Sequence, residues 1–197
     1  MNSTGFTLWL TGVPGAGKTT LAQTVAAELR LSRNNVEVLD GDEVRQHFCS
    51  DLTFSNVDRD INIMRIGILA RLLSRNGVAV IVATVSPLRE ARERVRRLHE
   101  APFFEVFVDC GLDEVMRRDP KGLYAKARRG ELQNLTGYQD VYETPLSPDV
   151  HVRTDQEAVH DSVSRIIAAL ADRGVAGVRN SSQAVGVNGV EPGNAWL

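Results

Sequence analysis

Between Gly12 and Thr19 the chain reads GVPGAGKT, a G-x-x-x-x-G-K-[ST] spacing set after an apolar run and before a helical pattern. Its glycines, Gly12, Gly15 and Gly17, let successive backbone N–H groups turn toward one anion, and the helix that begins near Lys18 adds its positive N-terminal end. Val13, Pro14 and Ala16 complete this phosphate-binding loop (P-loop). Lys18 is placed to reach the β and γ phosphates of ATP or GTP, the Thr19 hydroxyl to ligate Mg²⁺, and Thr20 follows in the same turn.

Further along, LDGDEVR sets Asp40, Asp42 and Arg45 just beyond a strand, where open α/β sheets put their ligands. An Asp there can accept the proton of an attacking hydroxyl or hold a magnesium-bound water. Read alone, either carboxylate serves equally well as an N-cap for a following helix. FSNVDRDINIMRIG offers Phe54, Arg59, Asn62 and Arg65, with Arg59 and Asn62 on one side of a helix. An aromatic ring beside arginines suits a planar base carrying an anion; in isolation, a core Phe54 under a helix with solvated arginines is the simpler account. Val85 and Ser86 fall at the tip of an apolar strand, and the Lys/Arg-rich stretch from Arg117 to Pro145 is of the kind that closes over phosphates as a lid.

These residues need a frame. Short β-branched runs at FTLWLTG, VEVLDGD, VAVIVATVSP, FFEVFVDC and DVHVRT predict five strands, most of them near-continuously apolar as strands covered on both faces are. Helical patterns lie between them at 18–29, 61–73, 88–99 and 156–171, the second with Ile61, Met64, Ile68 and Leu72 as its packing face. Such alternation specifies an α/β protein with a parallel sheet. With 197 residues, 43% of them hydrophobic, the chain can bury one sizeable core, assigned to 1–173. The Gly/Asn/Ser/Val-rich stretch 174–197 reads as a flexible tail. A net charge of −2 gives no reason to expect nucleic-acid or membrane partners, and a homodimer is compatible with the sequence. Cys49 and Cys110 fit neither a disulfide framework nor a zinc spacing. Without a basic, apolar leader or a bilayer-length run, a cytoplasmic location is expected. In REARERVRRLHE, Glu90–Arg94 and Glu93–Arg97 stand at i, i+4 and predict a solvated helix face.

Taken together, WLTGVPGAGKTT, LDGDEVR, FSNVDRDINIMRIG, VSPLREARERVRRLHE, RDPKGLYAKARRGEL and LTGYQDVYETP resemble adenylylsulfate kinase (APS kinase) over nearly everything before the tail. The resemblance implies a P-loop NTPase fold with strand order 2-3-1-4-5. It also implies MgATP-dependent phosphorylation of the 3′-hydroxyl of adenosine 5′-phosphosulfate (APS) to 3′-phosphoadenylyl sulfate (PAPS), in sulfate activation. Carried over by position, it makes Asp42 general base or magnesium-water ligand with Asp40 beside it. Arg45, Arg59 and Asn62 become ligands of the phosphosulfate and ribose, and Phe54 a stacking partner for the APS adenine. Ser86 takes the place that family descriptions give to a phosphoserine intermediate. In-line transfer needs no covalent step, so a substrate-contacting Ser86, with Val85, is preferred. Lys121 and Leu123 would touch nucleotide from the lid, and Arg118 would lie over the ATP adenine.

The chain departs from the family pattern at Pro14, at Glu43 and at Asn134–Leu135, where Gly-Phe is usual; Leu135 would face the substrate adenine opposite Phe54. Other readings are a kinase of a different nucleotide-like hydroxyl compound, or an idle nucleotide-binding module. Retention of Lys18, Thr19 and Asp42 argues against the idle module.

Overall fold

The computed structural model describes residues 4–175, so the tail expected over 174–197 lies, beyond Val175, outside the described residues. All five expected strands form: β1 (Phe6–Thr11), β2 (Val36–Asp40), β3 (Ala79–Ala83), β4 (Phe103–Asp109) and β5 (Val150–Arg153). They make one parallel sheet in the order β2-β3-β1-β4-β5, which is the P-loop NTPase arrangement expected above. β1 is central, with Leu8 registered between Ile81 and Phe104, and every residue of FTLWLT is buried. A strand with neighbours on both edges and helices on both faces has no solvated side, which is why the run is apolar without alternation.

Helices α1 (Lys18–Arg30), α2 (Gly41–Phe48), α3 (Asn56–Ser74), α4 (Arg89–Leu98), α5 (Leu112–Arg118), α6 (Leu123–Arg128) and α7 (Val159–Asp172) connect the strands. One core cluster joins Leu21, Val25 and Leu29 of α1 and Ile166 and Leu170 of α7 to Leu8, Leu10 and Val106. The other joins Ile63, Ile66 and Ala70 of α3 and Val95 of α4 to Trp9, Val80 and Val82. Met116 and Met64 lean on the first and second cluster respectively, as fillers.

Three expectations are corrected. α3 begins at Asn56, five residues before Ile61, because the Ser55 hydroxyl accepts from the Asp58 N–H at 3.1 Å and caps it. Its packing face is Ile63, Ile66, Gly67, Ala70 and Ser74, leaving Ile61, Ile68 and Leu72 36%, 47% and 40% exposed. The small residues decide this: a Cβ on Gly67 would run into the Val95 side chain, so the helices meet along the thin face and the bulkier stripe turns outward. Glu93–Arg97 forms, at 3.8 Å, but Arg94 pairs with Asp60 of α3 instead of Glu90.

After α5 the chain runs through α6 and then, without further helix or strand, to β5. Most of it falls within the basic stretch 117–145 expected as a lid, and it is tied down at several points on the carboxyl end of the sheet. The Tyr124 hydroxyl donates to the Pro14 carbonyl at 2.9 Å. Gly137, at φ 81°, lies so close to Val13 that any side chain there would collide with it.

Candidate active site

The loop between β1 and α1 has the backbone its sequence demands. Gly17 sits at φ 94° as the N-cap of α1, and no side chain caps that helix, so its first N–H groups point into the loop for an anion. Lys18, only 9% exposed, donates to the carbonyls of Gly12 and Val13 at 2.8 Å each. Burial lowers its pKa from 10.5 to about 8; Asp42 pulls it back up, Lys121 pushes it down and Asp40 pulls it up. That interplay places one ammonium, two carboxylates and a lid lysine within a single electrostatic neighbourhood. Thr19 and Thr20 are exposed in the first turn of α1.

The two carboxylates divide their work. Asp40 accepts the Asp42 N–H at 3.0 Å, capping α2, and its other oxygen accepts the Thr19 hydroxyl at 2.7 Å. Asp42 projects from the first turn of α2 with 72% of its side chain exposed, and it forms an ion pair with Lys121 of the lid. Thr19, Asp40 and Asp42 together offer hard oxygen donors, a set that suits Mg²⁺. Among the described residues no group of three or more His, Cys, Asp or Glu makes an all-protein metal cage, so phosphate and water oxygens would complete the coordination.

On the β2 side, Arg45 donates to the carbonyls of Leu52 and Thr53 and lays its guanidinium 4.2 Å from the centre of the Phe54 ring. Phe54 is 68% exposed, which removes the core reading and leaves one ring face backed by a cation and the other open. Asn62 is 7% exposed with its Oδ1 buried and without a hydrogen-bond partner, a cost of about 1–3 kcal/mol unless a ligand donor meets it. Arg59 is taken up by the lid, bonding Asp140 at 2.6 Å, the Asn134 carbonyl at 2.6 Å and the Thr136 hydroxyl at 3.1 Å. On the β5 side, Arg118 is fixed by Glu114 and by the carbonyl and hydroxyl of Thr154, whose hydroxyl in turn reaches the Ala16 carbonyl at 2.8 Å.

Of four expected contacts, Ser86 and Leu135 are buried and Val85 and Leu123 half-buried in this structure. Ser86 is 1% exposed: its hydroxyl accepts from Trp9 Nε1 at 3.1 Å and donates to Thr11 Oγ1 at 2.9 Å, so the group is spent inside the protein. Val85 beside it is half-buried. Leu135, 6% exposed, packs its side chain into the core while its carbonyl anchors the turn formed by Tyr138, Gln139 and Asp140. Leu123 likewise leans on the core. Residues that the sequence did not single out fill the supporting positions: Tyr124, Thr154, Thr11, Tyr142 and, above all, Arg92. Arg92 is hidden among arginines whose neighbours are solvated.

A P-loop, an exposed carboxylate and a cation-backed aromatic at the end of this sheet are the parts of a small-molecule kinase, and comparison with known proteins decides which kind. The family profile described as adenylylsulphate kinase matches residues 4–153. The chain belongs to the adenylylsulphate kinase family. The adenylyl-sulfate kinase of Synechococcus sp. (strain JA-2-3B'a(2-13)) is 49% identical over 174 residues, 88% of this chain and 99% of that protein. The adenylyl-sulfate kinase of Chloroflexus aurantiacus is 51% identical over 167 residues, 84% and 89% of the two chains. Among solved structures, the Mycobacterium tuberculosis APS kinase CysC in complex with AMPPNP and APS superposes with a TM-score of 0.83 at 39% identity, covering 86% of this chain and 99% of that one. The adenylylsulphate kinase match takes in the P-loop, both carboxylates, the Phe54 slab and the whole lid.

Proposed function

We propose that this adenylylsulphate kinase transfers the γ-phosphoryl group of ATP to the 3′-hydroxyl of APS, giving PAPS and ADP, as a step of sulfate activation. The observation that supports this reading is Asp42, an exposed carboxylate that pairs with Lys121 of the lid and is near enough to Lys18 to pull its pKa up. The acceptor oxygen attacks the γ-phosphorus, the bond from that phosphorus to the β–γ bridging oxygen breaks, and the hydroxyl proton passes to Asp42. Lys121, paired with Asp42 here, exchanges that partner for nucleotide phosphates and leaves the carboxylate free. Lys18 stays beside the β and γ oxygens and stabilises the charge that builds on them.

The open face of Phe54 stacks the APS adenine, Arg45 and Arg59 serve the phosphosulfate, and Asn62 Oδ1 receives a ribose hydroxyl. Arg118 lies over the ATP adenine. Thr19 and Asp42 are the residues that would hold Mg²⁺, which when bound screens phosphate charge. The unpaired thiols Cys49 and Cys110 fit a cytoplasmic setting, and no helix among the described residues is long and apolar enough to cross a membrane. The outward stripe Val57, Ile61, Ile68 and Leu72 supports a homodimer joined along α3, which light scattering reads as twice 21.6 kDa.

The deciding experiment follows ADP release from MgATP with and without APS and identifies the product. APS-dependent ADP and 3′-phosphorylated APS are expected, and both should vanish in Lys18→Ala. ADP release driven by another nucleoside and not by APS overturns the substrate assignment.

A further inference from the structure

α4 carries five arginines, and one of them behaves unlike the rest. Arg92 is 2% exposed, and its guanidinium is spread over three separate stretches of chain. Nε donates to Glu105 of β4 at 2.7 Å. Nη1 donates to the carbonyls of Ser86 and Pro87, at 2.7 and 3.2 Å, in the loop that leaves β3. Nη2 donates to the carbonyl of Glu143, at 2.7 Å, on the returning limb of the lid. The same two stretches are joined again beside it: the Glu143 N–H reaches the Pro87 carbonyl at 2.9 Å, and the Arg89 N–H reaches the Glu143 carboxylate at 2.8 Å. One layer deeper, the Thr11 hydroxyl gives its proton to the Val85 carbonyl at 2.8 Å. It therefore accepts from Ser86, at 2.9 Å, and from the Tyr142 hydroxyl, at 3.0 Å.

Stability alone is a poor reason for this arrangement. A buried ion pair costs several kcal/mol of desolvation, and apolar residues of the same volume commonly serve the core as well or better. What an apolar residue cannot do is hold three carbonyls from two loops in one plane, and Ser86 needs holding, since it is a non-glycine residue at φ 40°.

We propose that Arg92 is a positioning residue for phosphoryl transfer: its buried guanidinium locks the Val85–Pro87 loop to the Tyr142–Thr144 limb of the lid. The Val85–Pro87 loop and the far end of the lid thus form one rigid body. The inference rests on the APS kinase reading for its kinetic consequence, while the locking itself belongs to the free protein. Lid closure is then confined to the part before Tyr142, the part that carries Lys121 and meets Arg59. A misplacement of about 1 Å in a reacting pair costs up to about 100-fold in rate, so a loosened clasp reaches the chemistry although Arg92 touches no substrate.

The test compares wild type with Arg92→Lys, which keeps a cation beside Glu105 but cannot bridge the two loops, and with Arg92→Met/Glu105→Gln, which removes the buried charges together. ADP-binding stoichiometry counts competent molecules in each. Per competent molecule, both variants should lose about 10- to 100-fold in kcat with APS and keep their ADP affinity within about twofold. Amide hydrogen exchange in the free proteins should rise together in the peptides spanning 83–89 and 141–146 and stay unchanged at the P-loop. Wild-type kcat per competent molecule in the double variant, or exchange that rises everywhere alike, overturns the proposal in favour of a purely structural arginine. A wild-type enzyme inert toward APS would instead strike at the substrate assignment, and the exchange comparison would still decide the clasp.

Discussion

The phosphate loop and the lid face each other across the site and are built on opposite principles. From Gly12 to Thr19 almost everything that matters is local: glycine geometry, one helix end, and a lysine whose partners are carbonyls five and six residues away. The lid has turns of its own, but what ties it to the rest of the molecule is not local. Lys121 finds Asp42, Tyr124 finds Pro14, Asp140 finds Arg59 and Tyr142 finds Thr11, each across 79 or more residues of sequence. The first device is rigid and tied to chain geometry. The second is a set of long-range contacts, of which those before Tyr142 are ones a ligand can exchange, as a cover that must open requires.

The sharpest way to test that contrast is at the two aspartates, where loop and lid meet. Asp42→Asn removes the proton acceptor and the Lys121 pair, so kcat should fall by about 10²–10⁴ with ADP affinity little changed. Asp40→Asn keeps a side chain able to cap α2 and should cost no more than about 1 kcal/mol of stability, with a smaller loss of rate. Equal kinetic losses in the two variants would erase the division of labour drawn between them.

A pH series probes the loop side. Burial holds the folded Lys18 pKa at about 8 against 10.5 in the unfolded chain. Phosphate contact restores the charge, so ADP binding at pH 9 should take up about one proton, and affinity should fall by up to about tenfold per pH unit above 8. Calorimetry in buffers of different ionisation enthalpy reads the uptake. For stability the sign is opposite: the unfolded chain binds more protons between pH 8 and 10.5, so the penalty that Lys18 imposes on the fold fades as pH rises through that window. Proton-neutral ADP binding at pH 9 would mean that Lys18 keeps its charge when buried.

The smallest effect is expected at Ser86. Ser86→Ala strands Trp9 Nε1 and removes the donor to Thr11, costing about 1–3 kcal/mol in unfolding measurements, while turnover per folded molecule should drop by less than about tenfold. Labelled ATP alone should leave no phosphate on the wild-type serine, because a hydroxyl 1% exposed and bonded at both ends has no path to the γ-phosphate. A competent phosphoserine there would overturn this placement.

By itself the sequence determined the parts whose physics is short-range. The central strands β1 and β3 were legible because strands buried on both faces must be continuous apolar runs, whereas the edge strands β2 and β5 keep one solvated face with Glu37, His151 and Arg153 on it. The phosphate loop was legible because glycine, lysine and threonine at fixed spacing encode their own backbone. The conjunction of motifs was enough to suggest the family. Only the tertiary structure decided which face of α3 packs, since Gly67 and Ala70 win by allowing close approach and not by hydrophobicity. It alone separated Asp40 as cap from Asp42 as exposed carboxylate paired with the lid, two residues that are chemically the same until one of them meets Thr19. It also turned Ser86 and Leu135 inward, opened Phe54 to solvent, and buried one arginine out of the five on α4. Burial and hydrogen-bond partnership are set by residues far away in the chain, so residue type and local spacing carry no record of them.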